Sequence, residues 1–295
     1  MNKADKNFID AMNYIFENGV YDVNPRPYWL EEDGSHTPAH TLFAFDWKNV
    51  YDLSKDEFPF MTLRPMAWKT GVKELLWIFQ DQSNDIKLLE DKYNVKYWED
   101  WNVGDGTIGY RYGHTVNRYK LIDNLIKGIK ENPYGRRHIV SLWQNQEFID
   151  EEKGLQPCCF MTIWNVMGDK LNMKLIQRSS DHITAGSGIN EIQYCALLLM
   201  VAKATGYKPG LFVHDISNIH IYDRHIPIVK EVMNRTPIEC QPKLILDTDK
   251  TDFYSFTIDD FRLEGYPLEE IKKKKSTSKT TISYIKVIIY EKYYL

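Results

Sequence analysis

The longest apolar run of the chain extends from Tyr194 to Ala202 and is interrupted by Lys203. A membrane-spanning helix needs about 20 predominantly apolar residues, so this run is too short to cross a bilayer. The sequence predicts instead a long apolar helix over about 190–205, closed by Gly206 as a C-terminal glycine. We therefore expect a soluble protein that has no membrane partner.

Periodic apolar residues predict further elements on both sides of this run. Phe8, Met12 and Ile15 fall at helical spacing and Gly19 follows them, so the chain is expected to begin with an amphipathic helix. Other elements are predicted as helices over 68–80 and 226–234, strands over 138–143, 160–166, 171–176 and 212–222, and irregular segments over 24–40 and 97–112. This mixture of strands and long helices indicates an α+β fold.

The composition argues against several classes of protein. The 295 residues are 43% hydrophobic, which suffices for a sizeable core, and the net charge of -4 argues against a protein that coats nucleic acid. The four cysteines form no CxxC pair, so we expect neither a disulfide framework nor a zinc site. These features predict a cytoplasmic protein that needs no metal ion and no nucleic acid.

One cysteine lies in a segment that suggests chemistry. Cys158 precedes a predicted strand, and a lone cysteine is most often simply a buried core residue. Arg178 lies at the end of the next strand, however, and an arginine beside a cysteine stabilises the thiolate, which is the nucleophilic form. Arg178 with Ser179 is also a typical combination for holding a phosphate group. Arg136 and Arg137 add a third basic segment at a turn, although adjacent arginines most often form a solvated face.

Each of these segments is a weak signal alone, but their order along the chain indicates a family resemblance. The matching pieces are ELLW from Glu74, YWEDW from Tyr97, Tyr112-Gly113, RRHIVSLW from Arg136, Pro157-Cys158, QRSSD from Gln177, His220-Ile221-Tyr222 with His225, and FTIDDF from Phe256. From Asp33 to Tyr266 the chain resembles the thymidylate synthase family. The resemblance implies a large mixed β-sheet with helices on one face, and a homodimer in which the sheets of two subunits pack back to back.

The resemblance also implies a reaction. Cys158 would attack C6 of the pyrimidine of a nucleotide, and C5 would then take a one-carbon unit from 5,10-methylenetetrahydrofolate. Glu74 would manage proton transfer at C5 and O4, which is a general acid/base task. The catalytic residues implied are Cys158, Glu74 and Arg178.

The resemblance assigns binding residues as well. The residues implied to bind the nucleotide are Arg178 and Ser179 at the phosphate, Arg136 and Arg137 reaching the phosphate site of the other subunit, Asn190 at the base, and His220 and Tyr222 at the ribose. The residues implied to bind folate are Trp98 and Asp181 at the pterin, Arg64 near the folate tail, and Gly186 and Leu155 elsewhere in the site. No metal ligand is implied.

The chain departs from the family pattern at several positions. The departures are Cys159 for a histidine, Ile163 for a glutamine, Asn218 for an aspartate, Gly-Ser-Gly-Ile-Asn over 186–190 for Gly-Leu-Pro-Phe-Asn, one extra residue between Asp181 and Asn190, and a missing N-terminal phosphate arginine that His36 or Arg26 would replace. Because the 186–190 segment lines the folate site and the extra residue could displace Asn190, both the product and the base are open.

The end of the chain bears on the product. Residues 1–270 are expected to form one catalytic domain, and residues 271–295 a divergent, basic and mobile tail. Family synthases end in a short apolar tail that seals the site, which lets hydride reach the exocyclic methylene, whereas an open site lets water add. The altered tail, loop and Asn218 therefore favour a dUMP hydroxymethylase, with thymidylate synthase as the alternative.

The base follows from hydrogen-bond patterns. An asparagine can donate to O4 and accept from N3–H of uracil, so Asn190 favours dUMP, and dCMP returns if the extra residue displaces Asn190. A family member that binds nucleotide or RNA without turnover is a further alternative. The intact Cys158, Glu74, Arg178 and Asp181 argue against it.

Overall fold

The computed structural model describes residues 1–148 and 154–273. Of the tail over 271–295, which was predicted to be mobile, only the first three residues are described, and the rest lies outside the described residues. Those three residues belong to a short helix, in which Ile271 is buried. Within the described ranges, no helix is both long and apolar enough to span a membrane.

The core of the fold is a six-stranded mixed sheet. The strands are β1 (Val20–Tyr21), β2 (Tyr28–Leu30), β3 (His36–Pro38), β4 (Thr41–Asp52), β5 (Ile139–Ser141), β6 (Cys159–Met167), β7 (Lys170–Asp181), β8 (Lys208–Tyr222), β9 (Lys243–Leu246) and β10 (Phe261–Glu264). The order in the large sheet is β1-β4-β8-β7-β6-β5, and β2-β3 and β9-β10 form separate pairs. Among the described strands of the large sheet, only the β7–β8 pair is parallel.

The helices pack against this sheet and against each other. They are α1 (Lys3–Asn18), α2 (Trp68–Phe79), α3 (Ile86–Tyr93), α4 (Gly113–Arg118), α5 (Leu121–Glu131), α6 (Glu191–Thr205), α7 (Ile226–Met233) and α8 (Leu268–Lys273). Helix α6 contacts β7 and β8 on one side and α2 and α5 on the other. Because it is enclosed by two layers, α6 is buried around nearly its whole circumference, which explains its apolar sequence. The predicted α+β class with a large mixed sheet is confirmed.

Two expectations about the N-terminal third were wrong. The segment over 24–40, expected to be irregular, contains the β2–β3 hairpin, whose turn uses Gly34 at a φ of 80°. Strand β4 was not predicted at all, although it pairs with β8 over most of its length. Its alternation of buried and exposed residues is interrupted at Asp46, which has a φ of 65°, so no regular period is visible in the sequence.

The connection between β7 and α6 is a π-helix over His182–Asn190. A π-turn closes with one residue more than an α-turn, so it can absorb a single inserted residue. The chain has one extra residue here relative to the resembled pattern, and the π-helix accommodates it between the end of β7 and the start of α6.

Candidate active site

The topology brings three chain segments to one end of the sheet. Cys158 immediately precedes β6, and β6 is antiparallel to β7, so the cysteine lies beside the last residues of β7. Strand β8 is parallel to β7, which places its own C-terminal residues at the same end. The predicted residues Arg178, Ser179, Asp181, His220 and Tyr222 are therefore gathered around Cys158 by strand direction.

Cys158 lies against a guanidinium group. Nη2 of Arg178 is 3.6 Å from Sγ of Cys158, and the same guanidinium donates to the carbonyl oxygens of Gln156 at 2.9 Å and Pro157 at 3.1 Å. The ring of Trp143 lies 5.7 Å below Cζ of Arg178. These contacts fix the arginine, and a fixed positive charge beside sulfur stabilises the thiolate. They use Nε and Nη2, and none of them uses Nη1.

The other cysteines have different surroundings. Burial raises the pKa of Cys159 and of Cys195 well above the ordinary thiol range, and burial also raises the pKa of Cys240. Cys159, which replaces the family histidine, donates its S–H to Oε1 of Gln177 at 3.2 Å. Of the four cysteines, Cys158 is the one whose sulfur contacts an arginine in the described part of the chain, so the structure distinguishes it from its neighbour.

Glu74 is a buried carboxylate on α2. It accepts hydrogen bonds from Nε1 of Trp98 at 2.8 Å, from Nε2 of Gln193 at 2.8 Å and from the hydroxyl of Tyr97. Burial raises the pKa of Glu74, and these three hydrogen bonds offset only part of that effect. A buried carboxyl with a raised pKa is suited to exchanging protons near neutral pH.

Asn190 remains at the site despite the extra residue. Its Oδ1 accepts from Nε2 of Gln177 at 3.3 Å, and its Nδ2 donates to Oε1 of Gln193 at 3.1 Å. The π-helix thus returns Asn190 to a position between β7 and α6, and Gln193 connects it to Glu74.

The predicted ribose-binding residues lie together at the end of β8. The rings of His220 and Tyr222 are 5.4 Å apart, and Nδ1 of His220 is 2.8 Å from Oδ1 of Asn218. Burial lowers the pKa of His220, so its imidazole is neutral at neutral pH. Asn218 therefore supplies an oxygen to His220 even though it replaces the family aspartate.

The residues predicted to bind folate occupy a neighbouring region. Oδ2 of Asp181 accepts from the hydroxyl of Thr184, while its buried Oδ1 has no hydrogen-bond partner among the described residues. This open acceptor fits a ligand that carries N–H donors, as a pterin does. Trp98 is buried and donates to Glu74, and its ring lies 5.2 Å from that of Tyr112. The structure thus gives Trp98 a role in holding Glu74, and its folate contact stays a prediction.

The remaining folate-site predictions have close-packed surroundings. A Cβ on Gly186 would lie 2.1 Å from Oγ of Ser180, so the π-helix requires glycine there. Arg64 is held beneath that π-helix by a hydrogen bond to the carbonyl of Ile183. Leu155 is half-buried against the core, at the start of the second described range.

Arg136 and Arg137 are not brought to Cys158 within one chain. They precede β5, in which Ile139 pairs with Ile163 of β6. Ile163 is five residues beyond Cys158 along β6, a separation of roughly 16 Å at the rise of a β-strand. The two arginines are therefore near the opposite end of the strands, where they line a surface hollow with His138.

Several site residues were missed from the sequence. Gln177, Gln193, Tyr97 and His214 all belong to the hydrogen-bonded surroundings of Asn190 and Glu74. One signal existed for Gln193, because it lies three residues after Asn190 and so shares its helical face. Nothing local marked His214, which reaches Gln177 only through the pairing of β8 with β7.

Comparison with known proteins identifies the class and the family. The family profile described as Thymidylate synthase matches residues 6–277. The chain is therefore a folate-dependent transferase of nucleotide biosynthesis. It belongs to the thymidylate synthase family, in which 5,10-methylenetetrahydrofolate is the co-substrate.

Similar proteins come from several bacteria. The chain is 43% identical over 272 residues to a thymidylate synthase of Lactococcus lactis subsp. cremoris and 45% identical over 272 residues to one of Streptococcus pneumoniae, with 90% of this chain and 95% of each relative covered. The solved structure of thermostable thymidylate synthase A from Bacillus subtilis superposes with a TM-score of 0.81 at 37% identity, covering 89% of this chain and 95% of that one.

Proposed function

We propose that this protein is a thymidylate synthase that converts dUMP to dTMP and releases dihydrofolate. The observation that carries the proposal is Cys158 held against Arg178 in a chain that is 43% and 45% identical to named thymidylate synthases. A hydroxymethylase, which the altered loop and tail favoured, finds no support among these relatives, and the methylase alternative fits better.

One of the departures that favoured a hydroxymethylase has a milder consequence than expected, because Asn218 supplies an oxygen to His220. The extra residue, which left the choice of base open, is taken up by the π-helix, and Asn190 stays in contact with Gln177. The altered tail lies outside the described residues beyond Lys273.

In the proposed reaction the thiolate of Cys158 forms a bond to C6 of uracil, and C5 becomes nucleophilic. C5 attacks the methylene of the folate as the bond between that methylene and N10 breaks. Loss of the C5 proton and cleavage of the bond to N5 leave an exocyclic methylene on the base and free tetrahydrofolate beside it, and hydride from tetrahydrofolate then reduces the exocyclic methylene to methyl. Release of Cys158 restores the base, and tetrahydrofolate has become dihydrofolate. The Arg178 guanidinium stabilises the thiolate before attack and after release.

Glu74 is proposed as the group that manages proton transfer at C5 and O4. Its carboxylate is fixed by Tyr97, Trp98 and Gln193, and it lies one hydrogen-bonded residue away from Asn190. Asn190 is proposed to bind the base, with its amide N–H toward O4 and its carbonyl toward N3–H. Asp181 Oδ1 is proposed as an acceptor for the pterin.

The proposed assembly is a homodimer in the cytoplasm. Several large apolar side chains on the central sheet are exposed, although the neighbouring residue in each strand is buried. They are Val50, Ile139, Met167 and Leu211. An exposed apolar sheet face suits a self-complementary interface. Such a dimer would also explain why Arg136 and Arg137 lie far from Cys158 of their own chain.

Subunit mixing tests this shared-site arrangement. An R136A/R137A variant and a Cys158→Ala variant should each be nearly inactive alone. After equimolar mixing and exchange, half of the dimers are mixed, and each mixed dimer carries one site with intact Cys158 and intact arginines, so about a quarter of wild-type activity should return. Activity that stays at the level of the separate variants would contradict the proposal.

The proposed reaction is tested by the absorbance of dihydrofolate. Purified protein with 5,10-methylenetetrahydrofolate should form dihydrofolate when dUMP is added and should not do so with dCMP. Consumption of dUMP without dihydrofolate formation would contradict the methylase proposal and return the hydroxymethylase.

A further inference from the structure

A chain of hydrogen-bonded side chains runs from β8 to the carboxylate of Glu74. His214 Nε2 donates to Gln177 Oε1 at 2.7 Å, and Gln177 Nε2 donates to Asn190 Oδ1 at 3.3 Å. Asn190 Nδ2 then donates to Gln193 Oε1 at 3.1 Å, and Gln193 Nε2 donates to Glu74 Oε2 at 2.8 Å. Each of these hydrogen bonds is donated in the direction from His214 toward Glu74.

Beyond His214, this chain of side chains ends at Glu191. This fully buried carboxylate accepts from Asn49 at 2.7 Å, from the Tyr51 hydroxyl at 2.9 Å and from Nδ1 of His214 at 3.1 Å. Burial acts to raise the pKa of Glu191, but the hydrogen bonds and the positive charge of His214 lower it below its ordinary value. Glu191 is therefore ionised, and a buried carboxylate is stable only when it is paired in this way.

His214 is placed between two acceptors. Its Nδ1 faces the Glu191 carboxylate and its Nε2 faces the carbonyl oxygen of the Gln177 amide. Because Nε2 of Gln177 donates elsewhere, its Oε1 faces His214, and Nε2 of His214 donates a proton to that oxygen. A second contact favours the same orientation of the Gln177 amide, because its Nε2 also donates to the carbonyl of Ser179 at 2.8 Å.

We propose that Glu191 and His214 are positioning residues that act through Gln177 to stabilise the observed orientation of the Asn190 amide, and that they thereby make the site select uracil over cytosine. The inference rests on the proposed function in one respect, the role of Asn190 at the base. Neither residue needs to touch the nucleotide. They act through Gln177, the one residue that connects His214 with Asn190 in the described structure.

The physical reason is that uracil and cytosine require opposite orientations of the Asn190 amide. Uracil offers an acceptor at O4 and a donor at N3–H, whereas cytosine offers a donor at the exocyclic amine and an acceptor at N3. To read cytosine, Asn190 would have to rotate its amide by half a turn. Its N–H groups would then face the N–H groups of Gln177 and its oxygen would face the oxygen of Gln193, so both hydrogen bonds would be lost.

A double variant removes His214 and Glu191 together, so that Glu191 is not left as an unpaired buried charge. In H214F/E191V both are replaced by apolar groups, which proteins often tolerate. Oε1 of Gln177 then keeps only the weak thiol donor of Cys159 among its present partners. We expect the ratio of the dissociation constants of dCMP and dUMP, measured by calorimetry, to fall at least tenfold.

A matched control lies in the same cluster. Tyr51→Phe removes one hydrogen bond to Glu191 but leaves His214 donating to Gln177, so the ratio should remain that of the wild type. An unchanged ratio in the folded double variant, or an equal loss of selectivity in Tyr51→Phe, would overturn the inference.

A second variant keeps the test decisive if the double variant does not fold. Gln177→Glu is isosteric and still accepts from His214, but it can no longer donate to Asn190. Asn190 should then rotate to donate to the new carboxylate, and the preference should move toward dCMP by tenfold or more. A Gln177→Glu variant that keeps the wild-type preference would overturn the inference. Because these ratios come from binding, they remain measurable if the wild type gives no dihydrofolate, which would instead refute the proposed reaction.

Discussion

Replacing Cys158 by alanine is expected to reduce turnover by about 10⁴-fold or more, the scale of loss when a nucleophile is removed from an enzyme that works through it. The folded structure should be little affected, because Cys158 is only half-buried and its backbone bonds to Arg178 and Tyr112 do not involve the sulfur. Intact-protein mass spectrometry should also show that a covalent adduct with nucleotide and folate, trapped by denaturation of the working enzyme, is absent from the variant.

The matched control for this variant is Cys240→Ala. Cys240 is likewise a half-buried free cysteine, but it lies in a surface hollow with Met1, Lys3 and Glu57. Cys240→Ala should keep wild-type turnover and the adduct. If Cys158→Ala retained turnover within tenfold of wild type, the assignment of the nucleophile would be wrong, and the arrangement of Arg178 around it would be structural.

Replacing Glu74 by glutamine is expected to lower turnover by roughly 10²- to 10⁴-fold, the usual contribution of a positioned acid or base. Burial raises the pKa of this carboxyl, so its titration should appear in the pH profile of kcat/KM above the ordinary range of glutamate. The variant should lack that limb of the profile because glutamine does not titrate. The dissociation constant of dUMP should change much less than turnover.

Asp5→Asn provides the control for Glu74. Burial raises the pKa of Asp5 too, and Asp5 accepts from the backbone and hydroxyl of Thr62, away from the site. The Asp5→Asn variant is expected to lose some stability and to keep the wild-type pH profile. A Glu74→Gln variant with an unchanged profile and unchanged turnover would remove Glu74 from the mechanism.

The sequence predicted the helices and strands whose apolar residues recur at a regular spacing. Helix α1 and helix α2 lie where their apolar spacing placed them, and β6 and β8 surround the predicted strand positions. Helix α5 was missed although Ile122, Leu125 and Ile129 fall at helical spacing on its buried face. Strand β4 could not be found by period, because the left-handed Asp46 interrupts its alternation.

Only those residues of the candidate site that lie in sequence motifs could be predicted. Cys158, Arg178 and Glu74 were found because they lie in segments that resemble the family. The position of Asn190 depended on whether the extra residue was absorbed, and that is decided by the π-helix, which has no reliable local signature. His214 and Glu191 are joined across the fold by packing of α6 on β8, so no sequence interval marks their contact.

Mass spectrometry of the nucleotide formed from dUMP and 5,10-methylenetetrahydrofolate shows whether this family member makes a methyl product. The methyl and hydroxymethyl products differ by one oxygen atom, so one spectrum separates them. We expect dTMP, formed in equal amount with dihydrofolate. A product heavier by one oxygen, formed together with tetrahydrofolate, would refute the methylase proposal and show that water reaches the exocyclic methylene before hydride does.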